Sequence, residues 1–472
     1  MQKFRLLLGF AVVLLTLHTH PAAAATAGGT LTASTSWSGT VLVLSNVIVP
    51  SGLTLTIQAG TSVQFTNAAS ITAQAGGTID VQGTATNRVT FFPMPGINSW
   101  GNITASGNNS SLTIRFAEIS RGGLNLGSQS RTLIEDSFIH DVTSAISGNA
   151  ARFVTLRRIH AKSYGSIEFN SGTVILAEDS LFENLTSAND DALEIQGGPP
   201  GSIIRRCTFR HALGSNTDAI DFNGTSGVLV QDCLIYDVSD KGISLGAAGT
   251  GGAADSNITV SNCLIYSVDT GIAIKDGTTA GLFNNTIANS PYGLRLYQKF
   301  TSPVDGGHVT NSFNNILWNL GTAAANLQNN SSLVANYSDF QGTNWPGTGN
   351  ISTDPLFLNA ALRDFRLATN SPAKGTGRNG DDMGPHFPVG APMALSHPRI
   401  ESIALAGGVT KLRFYCDSEK SYTVQTTDAP LGEGWINVTN VFPTALPRLV
   451  EVTDPVGPST VRFYRLVTPA IP

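Results

Sequence analysis

Between Ser180 and Leu296 the chain repeats itself, and the repeat is short. Four strand-like runs end on a small residue followed by a mostly apolar pair: Ala177 to Phe182, Arg205 to Phe209, Gln231 to Ile235 and Ser261 to Ile265. Each is answered within a few residues by a second run that opens on a small residue: Ala192 to Ile195, Ala219 to Phe222, Gly242 to Leu245 and Gly271 to Ile274. The aligned markers Ser137, Arg158, Ser180, Cys207, Cys233, Cys263, Asn285 and Asn315 are separated by 21, 22, 27, 26, 30, 22 and 30 residues. A period near 22, lengthened only by Gly-, Pro- and Asn-rich insertions, is one coil plus variable loops. Those loops are Gly197 to Gly201, Gly246 to Ser256 and Thr301 to His308. No segment between them keeps a 3.6-residue apolar period long enough for a crossover helix, so strands stacked in register as an all-β parallel solenoid are predicted.

Three of the four cysteines, Cys207, Cys233 and Cys263, share one position in successive coils and should point into the core as small hydrophobes, unpaired. Cys416 lies far away, and no CxxC or His/Cys spacing suits zinc. Charged residues are only 13% of the chain, against about 25% in an average domain, and the net charge is 28 − 33 = −5. That balance gives no electrostatic footprint for nucleic acid, and it suggests coils held by Asn, Ser, Thr and Gly rather than by ion pairs.

The flanks define the rest. Residues 1–25 read as a secretory signal, with Lys3 and Arg5, an apolar run from Leu6 to Leu17, and Ala22-Ala23-Ala24 before the cleavage point. No later stretch is long and apolar enough to span a membrane, so an exported, soluble monomer is expected. Residues 26–384 form the solenoid. The run Val49 to Thr61, with Val89-Thr90-Phe91 and Trp100-Gly101, resembles the opening coils of secreted bacterial right-handed β-helix proteins of the pectate-lyase-like kind. Asp354 to Phe357, Asp364 to Leu367, Ser371 to Ala373 and Asp382 to Gly384 resemble their closing segment, where charged residues serve structure. Four prolines mark residues 385–398 as a linker. Residues 399–472 alternate as short antiparallel strands and resemble the small sandwich-type appendages of secreted bacterial proteins. In them Trp435 and Tyr422 read as core aromatics, or as a platform for a sugar.

Chemistry is expected on the solenoid wall. Aligning the second strands gives three columns: Asp191, Asp218, Lys241, Thr270; Asp190, Thr217, Asp240, Asp269; and Glu168, Glu194, Asp221, Ser244, Ala273, Arg295. Coils lie roughly 4.8 Å apart, so stacked carboxylates raise one another's pKa unless a cation or base intervenes. Ca²⁺ could bridge Asp190, Asp191, Asp218 and Asp221, because it takes about six to eight oxygen ligands in irregular geometry. Otherwise Lys241, Lys275 and Arg295 neutralise the ladder, or the aspartates cap turns. Tyr292, Arg295, Tyr297 and Lys299 border the Thr301 to His308 insertion and could form one end of a glycan groove. His140, His160 and His211 fall out of register and read as solvated turns, and Asn284-Asn285 with Asn314-Asn315 as an amide ladder.

Asn216 to Asp221, Val228 to Cys233, Gly242 to Gly246, Ile258 to Cys263 and Gly271 to Lys275 resemble rungs of the polygalacturonase family of β-helix glycoside hydrolases. The resemblance carries over Asp218 as the acid of the Asn-Thr-Asp motif and Lys275 as the subsite lysine. Asp240-Lys241-Gly242 stands where that family has an Asp pair or Gly-His-Gly, and Ala273 replaces its arginine. The β-helix pectate and alginate lyases, which use Ca²⁺ held by Asp and a Lys or Arg base, are matched in residue types by Asp190, Asp191, Asp218 and Asp221 with Lys241 or Lys275. The Asp-Asp-Ala and Asp-Lys-Gly-Ile-Ser rungs equally resemble bacterial surface β-helices with no demonstrated activity. The expectation is a secreted protein that cleaves or binds an acidic polysaccharide or cell-surface glycan. Its candidate catalytic residues are Asp218, Lys241 and Lys275, and its substrate contacts Arg295, Tyr297 and Lys299. A noncatalytic adhesion protein is the alternative.

Overall fold

The computed structural model describes residues 24–302 and 304–391, then 400–406, 408–416, 420–428, 434–443, 448–455, 461–468 and 470. Most of the expected leader, and residues 392–398 of the expected linker, lie outside the described residues. Strands run parallel throughout the solenoid. Each coil contributes one strand to each of three faces, and face III, thirteen strands long, counts the coils. Face I holds runs such as Phe138–Val142, Leu181–Leu185 and Thr208–Ala212; face II holds Ile167–Asn170, Leu193–Gln196 and Ile220–Asn223. The longer strands Leu234–Gly246, Leu264–Lys275 and Thr286–Tyr297 bend from face I onto face II without a break.

Alternation explains why these residues stack. In every face one residue of each pair points inward and meets its own kind from the next coil. Ile139, Ala161, Phe182, Phe209, Ile235, Ile265 and Ile287 form one such column, all buried. Phe182 and Phe209 stack with centroids 4.7 Å apart. The corner between faces III and I requires one residue in the left-handed region, and Asp136, Arg158, Asp179, Arg206, Asp232, Asn262, Asn284 and Asn314 take it with φ between 48° and 59°. The inward marker column is the next residue along. It therefore runs through Ile159, with Arg158 one place outside it on the corner.

That marker column does more than fill space. Cys207, Cys233 and Cys263 are free and buried, and their thiols donate to the carbonyls of Arg205, Gln231 and Ser261 at 3.2 to 3.4 Å. Asn285 and Asn315 continue it as the expected amide ladder. Asn315 Oδ1 accepts both the backbone N–H and the amide of Asn285 at 3.0 Å. Asn315→Leu would leave the Asn285 backbone N–H without its acceptor, while the Asn285 amide keeps the Val260 carbonyl at 3.0 Å, so a loss of about 2 kcal/mol is expected in urea denaturation. Cys233→Ser, which keeps a donor to the Gln231 carbonyl, should cost less than Asn315→Leu.

Ion pairs hold the corner between faces III and I, contrary to the expectation from composition. Arg115, Glu135, Arg157, Glu178 and Arg205 occupy one column in register, alternating in sign. Beside it Arg158 grips Asp136 at 2.7 Å and Arg206 grips Asp179 at 2.6 Å. Few charges are needed when each one has a neighbour of opposite sign above and below.

After the last coil the chain doubles back. Phe365 and Val389 pack on Tyr236, Leu264, Tyr266 and Ala288 of face I. The backbone of Gly390 donates to Asp232 at 2.7 Å and that of Ala391 to Thr208 at 2.9 Å. Residues 385–391, within the expected linker, are thus laid along the solenoid. The C-terminal module, described by itself, has two three-stranded antiparallel sheets: Ile400–Ala406, Val409–Cys416 and Arg448–Pro455 in one, Ile436–Val441, Tyr422–Thr427 and Phe463–Val467 in the other. Leu412, Phe414, Tyr422 and Val424 form its core. Tyr422 is therefore interior, while Trp435 has one ring face covered by the Arg465 guanidinium at 4.2 Å.

Candidate active site on face II

The third column read from the sequence lies along face II, and residues of the first lie at the corner that leads onto it. Glu168, Glu194, Asp221, Ser244, Ala273 and Arg295 are in-register partners coil by coil. Where the corner turns onto the face, Asp191 Oδ1 accepts the backbone N–H of Asp218 at 2.7 Å, and Asp218 Oδ1 accepts that of Lys241 at 2.9 Å. The Lys241 ammonium bridges Asp218, at 3.3 Å, and Asp240.

Amides spaced two residues along the same strand hold the carboxylates in place. Asn170 donates to Glu168 at 2.6 Å, Gln196 to Glu194 at 2.5 Å, and Asn223 to Asp221 at 2.5 Å. A side chain two residues on lies on the same face of a strand, so the Glu-x-Asn, Glu-x-Gln and Asp-x-Asn spacings are the sequence signal for this support. Lys275 is 2% exposed and reaches past Gly246 to donate to Ser244 Oγ at 2.7 Å. A Cβ on Gly246 would come within 2.9 Å of Lys275 Cε, so glycine makes the passage.

Electrostatics favour the protonated form of Asp191, Asp218 and Glu194. Burial, then the charges of Asp221 and Asp218, push Asp191 up to about 9. Asp218 is raised by burial and by Asp221 and Asp240, against the pull of Lys241. Burial and the neighbouring Asp221 and Glu168 raise Glu194 as well. Burial opposes the charge of Lys241, but Asp218 and Asp240 outweigh it and raise its pKa.

Asp191, Glu194 and Asp221 each bring one oxygen within 4.8 Å of the others. Asp221 Oδ1 is buried and has no hydrogen-bond donor among the described residues. This donor set is hard, anionic and oxygen-only, which suits Ca²⁺. Of the four aspartates read from the sequence as metal ligands, Asp191 and Asp221 belong to the group and Glu194 joins them. Asp218 is turned toward Lys241. Asp190 is exposed and faces a separate groove with Asp141, Thr143, Ser163 and Ser187.

At the other end of the face, the Arg295 guanidinium lies 4.8 Å from the Tyr292 ring and 5.2 Å from the Tyr297 ring. Lys299 lies over Phe300 instead. Two insertions meet beyond them, where Gly251 N donates to Ser302 O at 2.7 Å. Asp255, which the sequence reading did not single out, anchors the first loop by accepting from Thr225 and Gly246; burial pushes it up to about 7. It sits inside a Gly-rich insertion with no periodicity to mark it. The histidines are paired rather than solvated: His140 with Glu118 and Asp141, His160 with Glu183, and His211 with Asp237.

Residues 144–307 match the family model described as the right handed beta helix region. Among solved structures, a mutant of the periplasmic alginate epimerase AlgG is similar, with TM-score 0.52 and 12% identity over 66% of this chain and 78% of that one. A second AlgG mutant gives 0.51 and 11% over the same shares. The catalytic domain of a GH87 alpha-1,3-glucanase gives 0.34 and 13% over 62% and 65%. At these identities the likeness is one of fold. No curated protein matches the chain.

Proposed function

We propose that this right-handed parallel β-helix is an exported carbohydrate-active enzyme that acts on an acidic polysaccharide along face II. One observation carries the reading: a strip that runs from a half-buried carboxylate cluster past Lys241 and Lys275 to Arg295 at its far end, with Tyr292 and Tyr297 alongside. A carboxyl whose proton affinity is raised by burial and by neighbouring charges is the usual general acid for glycosidic bonds. Asp191, neutral at pH 7, supplies a proton donor, and the Asp218–Lys241 pair a charged partner next to it. Lys275 supplies a buried cation for a uronate carboxylate. In a calcium-dependent reaction Asp191 would instead give up its proton and, with Glu194 and Asp221, hold Ca²⁺, which would offset the substrate's charge when bound. The apolar stretch Leu6 to Leu17 and the alanines after it fit export, and among the described residues no helix is long and apolar enough to cross a membrane.

The protein would be assayed on pectate, alginate, glycosaminoglycans and neutral glycans, reading unsaturated ends by ultraviolet absorbance and reducing ends, with Ca²⁺ and with chelator. Calcium-dependent absorbance that disappears in Asp218→Ala and in Lys241→Ala or Lys275→Ala identifies a lyase; reducing ends without absorbance identify a hydrolase. A noncatalytic surface protein has its own support, because Asp191 and Asp218 each accept a backbone N–H from the next coil. Silence on every substrate, with Asp218→Ala losing only thermal stability, would establish that reading.

A further inference from the structure

Charge is not spread evenly along face II. Toward the first coils the outward column carries Glu168, Glu194 and Asp221, whereas past Ser244 and Ala273 it carries Arg295. Arg295 is 31% exposed, and its nearest carboxylate, Asp269, stands 3.9 Å away. Its guanidinium lies near both the Tyr292 and Tyr297 rings, and its one long ion pair with Asp269 leaves part of the fork open to a further carboxylate. Three coil steps separate it from Asp221, roughly 14 Å at roughly 4.8 Å per coil. A pyranose in an extended chain advances roughly 5 Å, about the spacing of stacked coils. Coil and sugar therefore keep step.

We propose that face II measures its glycan: with one sugar on Asp221, the sugar about three units further on places a uronate carboxylate on Arg295, so tight binding needs a chain of about four units. The charged segment lies on the Ser244 to Arg295 side, because Arg295 is the outward cation of this column and Glu168 opposes anionic sugars beyond the carboxylate cluster. This rests on the reading of face II as a glycan cleft.

Calorimetry with oligogalacturonates and oligomannuronates of two to six units, and with their carboxyl-reduced counterparts, tests it. For one of the anionic series, affinity should rise about tenfold between three and four units, the effect of one charge-assisted bidentate contact. The reduced series should show no such step. Arg295→Gln should erase the step, and Arg295→Lys should restore only part of it because the fork is lost. A step of equal size in the reduced series, a smooth rise with length, or an unchanged step in Arg295→Gln would overturn the measuring role while leaving a glycan cleft. Absence of binding by every oligomer, charged or reduced, would overturn both.

Discussion

Asp191→Asn is expected to stabilise the protein and disable it at once. In the fold Asp191 keeps its proton up to about pH 9, whereas an unfolded aspartate gives it up near pH 3.9. Between those values the folded state binds more protons than the unfolded one, so this residue makes stability fall as pH rises. Asparagine removes the ionisation and keeps the Oδ1 that accepts the Asp218 N–H at 2.7 Å. Urea denaturation should show a gain of about 2 kcal/mol at pH 8 and none at pH 3. Turnover on whichever acidic glycan is active should drop by about 10² or more, the usual contribution of a positioned proton donor. Such a trade of activity for stability is how a strained functional carboxyl behaves. A variant that is less stable at pH 8 would show instead that Asp191 works ionised, as a cap for the next coil.

Breaking the Glu183 network should have the largest purely structural effect. Glu183 and Arg210 are 3% and 6% exposed and joined at 2.6 Å; His160 adds a bond to Glu183 at 2.9 Å, and Arg210 passes one to the Tyr236 hydroxyl at 2.8 Å. Arg210→Met leaves a carboxylate buried beside only His160 and Lys162, at an expected cost of about 3 to 5 kcal/mol. Adding Glu183→Gln should recover much of that loss. Burial disfavours the Glu183 charge, but His160 and Arg210 overcome it and hold the pKa down to about 2. A depressed carboxyl contributes stability that is complete above its unfolded pKa of about 4.3 and is lost as pH falls toward 2. Acid titration of Glu183→Gln should therefore lack that part of the decline. If Arg210→Met unfolds at the same urea concentration as the parent, the pair contributes nothing.

Register was legible wherever a coil announced itself with a small residue. The columns through Glu194, Asp221 and Arg295 could be counted because Ala192, Ala219, Gly242 and Gly271 mark where each second strand begins. At Arg158 that marker is missing, and the count landed on the corner instead of on Ile159. Adjacent residues at a corner diverge, which is why Asp190 and Asp191 look alike in sequence and face different surroundings. Glu194 was visible as a column member, but only its convergence with Asp191 and Asp221 makes it a candidate ligand. The Arg115 to Arg205 ladder escaped because a chain-wide average of charge hides alternation between residues 20 to 27 positions apart. Likewise, proline density excludes regular structure without saying where the chain lies, so residues 385–391 read as a spacer.

Residues 354–391 change how the molecule can come apart. A stack whose coils touch only their neighbours frays from its end, one turn at a time. Here the final turns sit beneath a returning segment pinned at Asn314, Asn262, Asp232 and Thr208, with the Arg363 guanidinium laid over Tyr236 and Tyr266. Tension that reaches the solenoid from its C-terminal side meets that segment first, and loads it lengthwise, many contacts together, instead of peeling a single strand. The tail is a seat belt for the last turns, and the coils beneath it can begin to unravel only after it is unfastened.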